Sequence, residues 1–132
     1  IRVFNQGQMR RDFTYIDDIV EGVVRCLRKP ATADLAFDPL APNPATAAVP
    51  HRLFNIGNAQ PVELLRFIEL LEQALGREAI KQYEPMQPGD VVETGADCCA
   101  LGSWIGFQPA TVLAAGLNSF AQWAKQYPQF LG

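Results

Sequence analysis

Apolar residues recur at helical spacing in two segments of the first half of the chain. Between residues 16 and 28 they fall three or four positions apart, which predicts an amphipathic helix that ends before Pro30. A second apolar stripe runs over residues 64–75, with Pro61 at a favoured first-turn position and Gly76 fitting a C-cap. These stripes predict two amphipathic helices, the second with its apolar stripe facing inward.

The second half of the chain predicts two further helices. Asp97 can cap a short helix that runs to about Leu101. Thr111 can cap a last helix, because the apolar residues between 113 and 127 share one face at helical spacing. Helices are therefore expected to dominate the structure.

Shorter segments between the helices predict strands, a turn and a loop. Residues 53–56 and 80–84 have the character of strands, and residues 87–90 have the character of a turn. Residues 31–50 are rich in Ala, Pro, Thr and Asp without periodicity, which predicts a long, flexible surface loop. Together the elements predict one small mixed α/β domain over residues 1–132.

The composition is that of a globular protein. The 132 residues are 48% hydrophobic and 19% charged, which suffices for one core. No apolar run approaches the roughly 20 residues that a membrane span requires, so we expect no membrane partner. The formal net charge of −3 argues against a general nucleic-acid-binding protein, which would carry a basic stripe.

Cysteine and histidine are sparse. Cys26, Cys98 and Cys99 have no C-x-x-C spacing, so neither a zinc site nor a disulfide framework is predicted. We expect reduced thiols that serve as packing residues in a cytoplasmic protein. His51 is the only histidine, and we expect a surface or loop residue rather than a catalytic base.

The most informative chemistry begins at Arg10 and Arg11, which precede a short aromatic run and the acidic start of the first helix. A guanidinium can bind phosphate oxygens at two points at once, so the pair has the character of an anion clamp. A solvated basic pair is the alternative. Asn55 lies in a second loop, and Gln87 and Asp90 lie in a third, so these polar groups could converge on one ligand.

Three stretches of the sequence resemble the C-terminal, substrate-binding part of extended short-chain dehydrogenase/reductase enzymes that act on nucleotide sugars. These stretches are Val3–Asn5 running into Arg11–Val23, Phe54–Leu64, and Pro85–Val91. In the third stretch most of these enzymes have an arginine where this chain has Gln87. The run Pro-Met-Gln-Pro-Gly-Asp-Val is therefore the most specific motif, and it is most similar to the UDP-glucuronate 4-epimerases of surface-polysaccharide biosynthesis.

The resemblance implies a role for each matching polar residue of the loops. Arg11 would grip the nucleotide diphosphate, and Asp12 would hold that arginine or a neighbouring backbone segment. Asn55 would donate a hydrogen bond to the diphosphate, although an amide that bonds its own turn is the alternative. Gln87 would donate without charge, and Asp90 would brace its loop or accept from a ribose hydroxyl.

Arg2 and Phe4 belong to a short run that is expected to be extended. In the related enzymes this run lies against the uracil and offers backbone groups to the base edge and an apolar face beneath it. Simple core packing of Phe4 is the alternative, because aromatic residues in strands are mostly buried.

The resemblance further implies a parent enzyme that uses NAD to convert UDP-glucuronate to UDP-galacturonate and that forms a homodimer. This chain contains no G-x-x-G-x-x-G or G-x-G-x-x-G turn and no Tyr-x-x-x-Lys pair. We therefore expect a fragment without catalytic, cofactor-binding or metal-binding residues, whose missing half binds NAD and performs the chemistry. The alternatives are a lobe of a related nucleotide-sugar dehydratase or decarboxylase, and a stand-alone binding or interaction module.

Overall fold

The computed structural model describes residues 1–127 and 129, which form four helices, a 3-10 turn and four two-residue strands. In chain order these elements are β1 (Arg2–Val3), the 3-10 turn (Phe4–Gly7), β2 (Arg10–Arg11), α1 (Ile16–Arg28), β3 (Val62–Glu63), α2 (Leu64–Leu75), β4 (Gln82–Tyr83), α3 (Cys99–Ile105) and α4 (Leu113–Gln126). The architecture is mixed α/β with helices dominating, as predicted.

The strands form two small sheets, in which β1 pairs in parallel with β4 and β2 pairs antiparallel with β3. Arg10 of β2 lies opposite Glu63. On the other edge of β2, the Arg10 amide donates to the Val92 carbonyl at 2.9 Å, and the Thr94 amide donates to the Arg10 carbonyl at 3.1 Å. The arginine pair is therefore fixed between two other segments of the chain.

The core lies where α2 packs against α4 and where the short strands join them. The buried apolar residues are Val3, Met9, Ile68, Cys98, Leu101, Leu117, Ala121 and Ala124. Phe13 stacks on Phe67 of α2, with ring centroids 4.1 Å apart. The segment that follows the arginines is thus anchored on the core. Among the described residues, no helix is both long enough and apolar enough to cross a membrane.

The two helices of the first half lie close to their predicted positions. Helix α1 covers residues 16–28 as predicted. Helix α2 begins at Leu64, so Pro61 does not occupy its first turn: residues 62–63 instead pair with β2. The position of Gly76 as the C-cap is confirmed, because this glycine adopts the left-handed conformation, with φ 72°.

The helices of the second half begin differently. The N-cap residue of α3 is Cys98 and not Asp97, although the Asp97 carboxylate accepts from the backbone N–H of Cys99, the first residue of the helix, at 2.9 Å. The helix ends at Ile105, beyond the expected end near Leu101. Thr111 was expected to cap α4, and this is wrong, because its side chain makes no cap and Val112 precedes the helix. The Thr111 amide instead donates to Asp18 at 2.9 Å, which ties the start of α4 to α1.

Two strand predictions need correction. Residues 53–56 do not form a strand in the described part of the chain. Arg52 makes an isolated bridge to Thr46, and the Leu53 amide donates to the Ala45 carbonyl at 3.0 Å, but the pairing does not continue beyond Leu53. The strand expected over residues 80–84 is reduced to β4. Phe4 was expected in an extended run, but it begins the 3-10 turn.

The segment 31–50 contains no helix or strand, in agreement with the predicted loop. Its first part is joined to its last, because the Asp34 amide donates to the Ala47 carbonyl at 2.8 Å. Leu35 and Leu40 are almost fully exposed. The flexibility of this loop stays a prediction.

A salt bridge between Glu72 and Lys81 joins the end of α2 to the segment before β4, and it should make the stability of the fold depend on pH. Glu72 accepts from the Lys81 ammonium at 2.5 Å and from the Ala79 amide at 2.7 Å, and these two hydrogen bonds, in that order, lower the pKa of Glu72. A lowered folded-state pKa stabilises the protein above the unfolded pKa, and this stabilisation disappears as the pH falls through the folded value. Glu72→Gln should therefore lower the urea midpoint at pH 7, and its difference from the unsubstituted protein should shrink in acid.

The matched control is Glu69→Gln, which removes an exposed carboxylate paired with Arg66 on the same helix. Exposed pairs of this kind contribute little, so the control should shift the midpoint less at every pH. A Glu72→Gln effect that stays constant from pH 7 to pH 3 would show that the carboxylate charge does not stabilise this contact.

Candidate functional site

The Arg11 side chain lies at the junction between β2 and the loop that precedes residue 93. Its guanidinium donates to the carbonyls of Arg10, at 3.0 Å, and Val92, at 3.1 Å, and it pairs with Asp90 at 2.9 Å. The side chain is only 21% exposed. The guanidinium is thus held in a fixed orientation by several acceptors, while part of it still faces solvent.

Arg10 points away from Arg11, as successive residues of a strand do. Its guanidinium donates to the Glu93 carboxylate at 2.8 Å and to the Pro61 carbonyl at 3.0 Å. Its side chain is 51% exposed. Arg10 therefore connects the two segments that flank β2, and the two arginines do not form one clamp.

Asp12 connects two loops through its backbone and its carboxylate. The carboxylate accepts from the amides of Ala59, at 3.0 Å, and Gln60, at 3.3 Å, and the Asp12 amide donates to the Thr94 hydroxyl at 3.3 Å. Of the two roles expected for Asp12, holding a neighbouring backbone segment is therefore the one that the structure shows.

Asn55 begins the 55–60 segment, whose last two residues Asp12 holds. Its amide nitrogen donates across to the Asp97 carbonyl at 3.4 Å. The neighbouring Cys98 thiol donates to the Gly57 carbonyl at 3.4 Å. The hydrogen bond from the Cys99 amide lowers the pKa of Asp97, so this carboxylate remains charged at the start of α3. The 55–60 segment is thus held from two sides.

The turn that contains Gln87 and Asp90 forms as predicted. The Asp90 amide donates to the Gln87 carbonyl at 3.1 Å, and Gly89 has a positive φ of 83°. The Asp90 carboxylate accepts from the Val91 amide at 2.8 Å as well as from Arg11, so Asp90 braces this loop. The Gln87 residue is exposed. Contacts of Gln87 and Asp90 with a ligand stay predictions.

Arg2 and Phe4 lie together beside β4. The Arg2 guanidinium makes two hydrogen bonds to the Glu84 carboxylate, at 2.7 and 2.6 Å, and lies 4.8 Å from the centre of the Phe4 ring. This contact raises the pKa of Arg2 and lowers that of Glu84. Glu84 stands three residues before Gln87, so Arg2 and Phe4 are joined through β4 to the loop that carries the predicted amide.

The structure therefore brings the predicted polar residues into one connected set of loops. Arg11 and Asp90 touch directly. Asn55 binds the Asp97 carbonyl and is connected to Arg11 only along the chain, through the amides of residues 59 and 60 that Asp12 holds. The carboxylate partners Glu84 and Glu93 were missed by the sequence reasoning. They are 82 and 83 residues from their arginines in the chain, and no local spacing signals a contact at that distance.

An apolar groove of about 670 Å³ lies elsewhere on the molecule. It lies between α2, α4 and the segment that leads into α1, and its walls include Phe13, Phe67, Leu71, Gly116 and Phe120. None of the predicted site residues lines it. Within the described part of the chain, no group of three or more His, Cys, Asp or Glu residues could hold a metal ion.

The sequence matches a known protein family and is similar to named relatives. The NAD dependent epimerase/dehydratase family matches residues 1–38. Protein CapI of Staphylococcus aureus is 44% identical over 127 residues, which are 96% of this chain and 38% of that protein. A probable UDP-glucuronate 4-epimerase of Rhizobium meliloti is 41% identical over 130 residues, which are 96% of this chain and 37% of that protein.

A solved structure agrees with these relatives. The crystal structure of UDP-glucuronic acid 4-epimerase from Bacillus cereus in complex with UDP-glucuronic acid and NAD superimposes with a TM-score of 0.72 at 27% sequence identity. The match covers 96% of this chain and 35% of that one. This chain thus spans less than two fifths of the length of the relatives that it matches.

Proposed function

Because this chain belongs to the extended short-chain dehydrogenase/reductase epimerases, we propose that it is the nucleotide-sugar-binding lobe of an NAD-dependent UDP-glucuronate 4-epimerase. The full-length enzyme converts UDP-glucuronate to UDP-galacturonate for a surface polysaccharide and acts as a cytoplasmic homodimer. This chain forms a single lobe over residues 1–132 and binds the UDP moiety.

The observation that carries this proposal is the position of the Arg11 guanidinium where two loops meet. The guanidinium is fixed by Asp90 and by two carbonyls, and it is partly open to solvent. A guanidinium fixed in this way loses little rotamer freedom when it binds a diphosphate oxygen. Asn55 and Gln87 add neutral donors, and the remaining acceptor capacity of Asp90 suits a ribose hydroxyl.

Arg2 and Phe4 complete the proposed site at its nucleoside end. The backbone of β1 and the half-buried Phe4 ring receive the uracil. Glu84 holds the Arg2 side chain in place through two hydrogen bonds. Contacts with the base, ribose and diphosphate together anchor the ligand. The sugar can therefore rotate at the reacting centre while the ligand stays bound.

The residues of this chain do not fit NAD, because the sequence has no glycine-rich turn to receive a pyrophosphate. NAD would accept the hydride in the full-length enzyme, and the part of that protein outside this chain would hold it. Helix α1 has an uncovered apolar stripe that suits contact with that part. Its residues Ile16, Val20, Val23 and Leu27 are each more than half exposed.

The proposed function is tested by incubating UDP-glucuronate with the full-length protein and NAD and identifying the product by NMR. We expect inversion at C4 of the sugar. Loss of carbon dioxide or of water would instead identify a decarboxylase or a dehydratase. We expect residues 1–132 alone to give no turnover and to retain no NAD, because they lack the Tyr-x-x-x-Lys pair as well as the glycine-rich turn. Turnover or bound NAD in the 132-residue chain would contradict the proposal that NAD binding and catalysis belong to the part of the enzyme outside this chain.

A further inference from the structure

We propose that Asp12 is a positioning residue for the nucleotide-sugar site. Asp12 sets Asn55 and Arg11 at a fixed distance from each other without touching the ligand. The identity of the ligand rests on the proposed function. The arrangement of the two loops around Asp12 is a property of the structure itself.

Both oxygens of the Asp12 carboxylate accept hydrogen bonds from within the protein. One oxygen accepts from the Ala59 amide and the other accepts from the Gln60 amide. A carboxylate that faced a diphosphate would also be repelled by it. Asp12 therefore acts on the ligand through the backbone segments that it joins, and not by direct contact.

Gly57 shows how closely the Asp12 carboxylate approaches the Asn55 loop. A Cβ atom at residue 57 would lie 2.8 Å from Asp12 Oδ2 and 3.1 Å from the Cβ of Ala96. The Asp12 carboxylate and the Ala96 side chain thus occupy the space that a side chain at residue 57 would need. Ala59, two residues later, has a left-handed backbone with φ 54°. Its amide donates one of the two hydrogen bonds that the Asp12 carboxylate accepts.

The connection reaches both proposed diphosphate contacts. Arg11 precedes Asp12 in the chain, and Asn55 stands two residues before Gly57. The Asp12 amide also donates to Thr94, in the segment that continues from the Arg11 partners Asp90 and Val92. Without Asp12 the Asn55 loop would keep its contact with Asp97 and, through residues 61–63, its contacts with β2. It would lose the two hydrogen bonds that hold residues 59 and 60, and ligand binding would have to order that stretch.

The test uses Asp12→Asn in the full-length protein, with UDP as the probe in calorimetric titration. Asparagine keeps the shape but places an NH₂ group against one of the two backbone N–H donors. We expect UDP to bind roughly tenfold more weakly, because UDP binding must then order the loop that the carboxylate holds in the unsubstituted protein. Glu69→Gln, a change of the same type on the exposed face of α2, should leave UDP affinity unchanged.

A double-mutant cycle separates positioning from a general structural effect. In an Asn55→Ala background, Asp12→Asn should weaken UDP binding by less than about threefold, because the contact that it positions is already gone. Equal losses in both backgrounds, or no loss in either, would overturn the proposal. Absence of UDP binding by the unsubstituted protein would instead refute the proposed function on which the ligand rests.

A second pair of variants covers the case in which Asp12→Asn does not fold. Thr94→Val removes the hydroxyl that accepts from the Asp12 amide, and Thr94→Ser keeps it. We expect weaker UDP binding in the valine variant and restored binding in the serine variant. Equal UDP affinity in these two variants would overturn the positioning role.

Discussion

Arg11→Ala in the full-length protein is expected to weaken UDP binding by about ten- to a hundredfold, against about tenfold or less for Asn55→Ala. A charge-assisted hydrogen bond contributes about 1.5–3 kcal/mol, whereas a neutral donor contributes about 0.5–1.5 kcal/mol. Loss of Arg11 also leaves the Asp90 carboxylate without the guanidinium that it contacts at 2.9 Å. That unpaired negative charge would oppose a diphosphate and adds to the effect.

Calorimetric titration with UDP at two ionic strengths measures this difference. The Arg11→Ala loss should shrink with added salt, because the guanidinium is partly open to water, whereas the Asn55→Ala loss should not change. Arg11→Ala combined with Asp90→Asn should bind UDP better than Arg11→Ala alone, since the opposing carboxylate is then removed.

Arg10→Ala is the matched control for this experiment. Arg10 has the same chemistry one residue away, but its guanidinium binds Glu93 and the Pro61 carbonyl. We expect it to change UDP affinity much less than Arg11→Ala. Unchanged affinity in Arg11→Ala, or equal losses in the two variants, would mean that the diphosphate lies elsewhere.

The helices could be predicted from the sequence because their signals are local. The apolar stripe of α1 and the left-handed position of Gly76 depend on neighbours within a few turns of the same helix. The start of α4 could not be predicted in this way. The amide of Thr111 is bound by Asp18, which lies 93 residues earlier in the chain.

Strands were harder to predict than helices for the same reason. Residues 53–56 have apolar and aromatic side chains, but a strand needs a second strand beside it. In the described part of the chain, no strand lies beside these residues, and only the Leu53 amide reaches another segment, at the Ala45 carbonyl. In contrast, residues 62–63 carry no strong strand signal, yet they pair with β2 and delay the start of α2 to Leu64.

The candidate site shows the same limit at the level of side chains. The resemblance selected Arg11, Asn55 and Asp90, and the structure places them on connected loops. Apart from that resemblance, residue type and spacing could not distinguish Arg10 from Arg11, because their roles depend on which side of β2 each faces. Glu93 binds one arginine and Asp90 binds the other, and this choice follows from the register of the loop along β2.

Gly7→Ala is expected to destabilise the protein by about 2–5 kcal/mol in urea unfolding. Gly7 is buried and has a φ of 78°, a conformation that costs an alanine roughly 1–2 kcal/mol. A Cβ atom at this position would also lie 2.6 Å from Cδ2 and 2.8 Å from Cγ of Leu65. Overpacking of this kind costs a further 1–3 kcal/mol, roughly, because the Leu65 side chain must shift within its surroundings.

Gly76→Ala separates the two contributions. Gly76 has a similar φ of 72°, but a Cβ atom there would have no neighbour within 4 Å. Its replacement should therefore cost only the backbone term, about 1–2 kcal/mol. Leu65→Ala should lessen the extra cost of Gly7→Ala in a double-mutant cycle, because it removes the atoms that the new Cβ would meet. Equal destabilisation by Gly7→Ala and Gly76→Ala would show that the contact with Leu65 relaxes without cost.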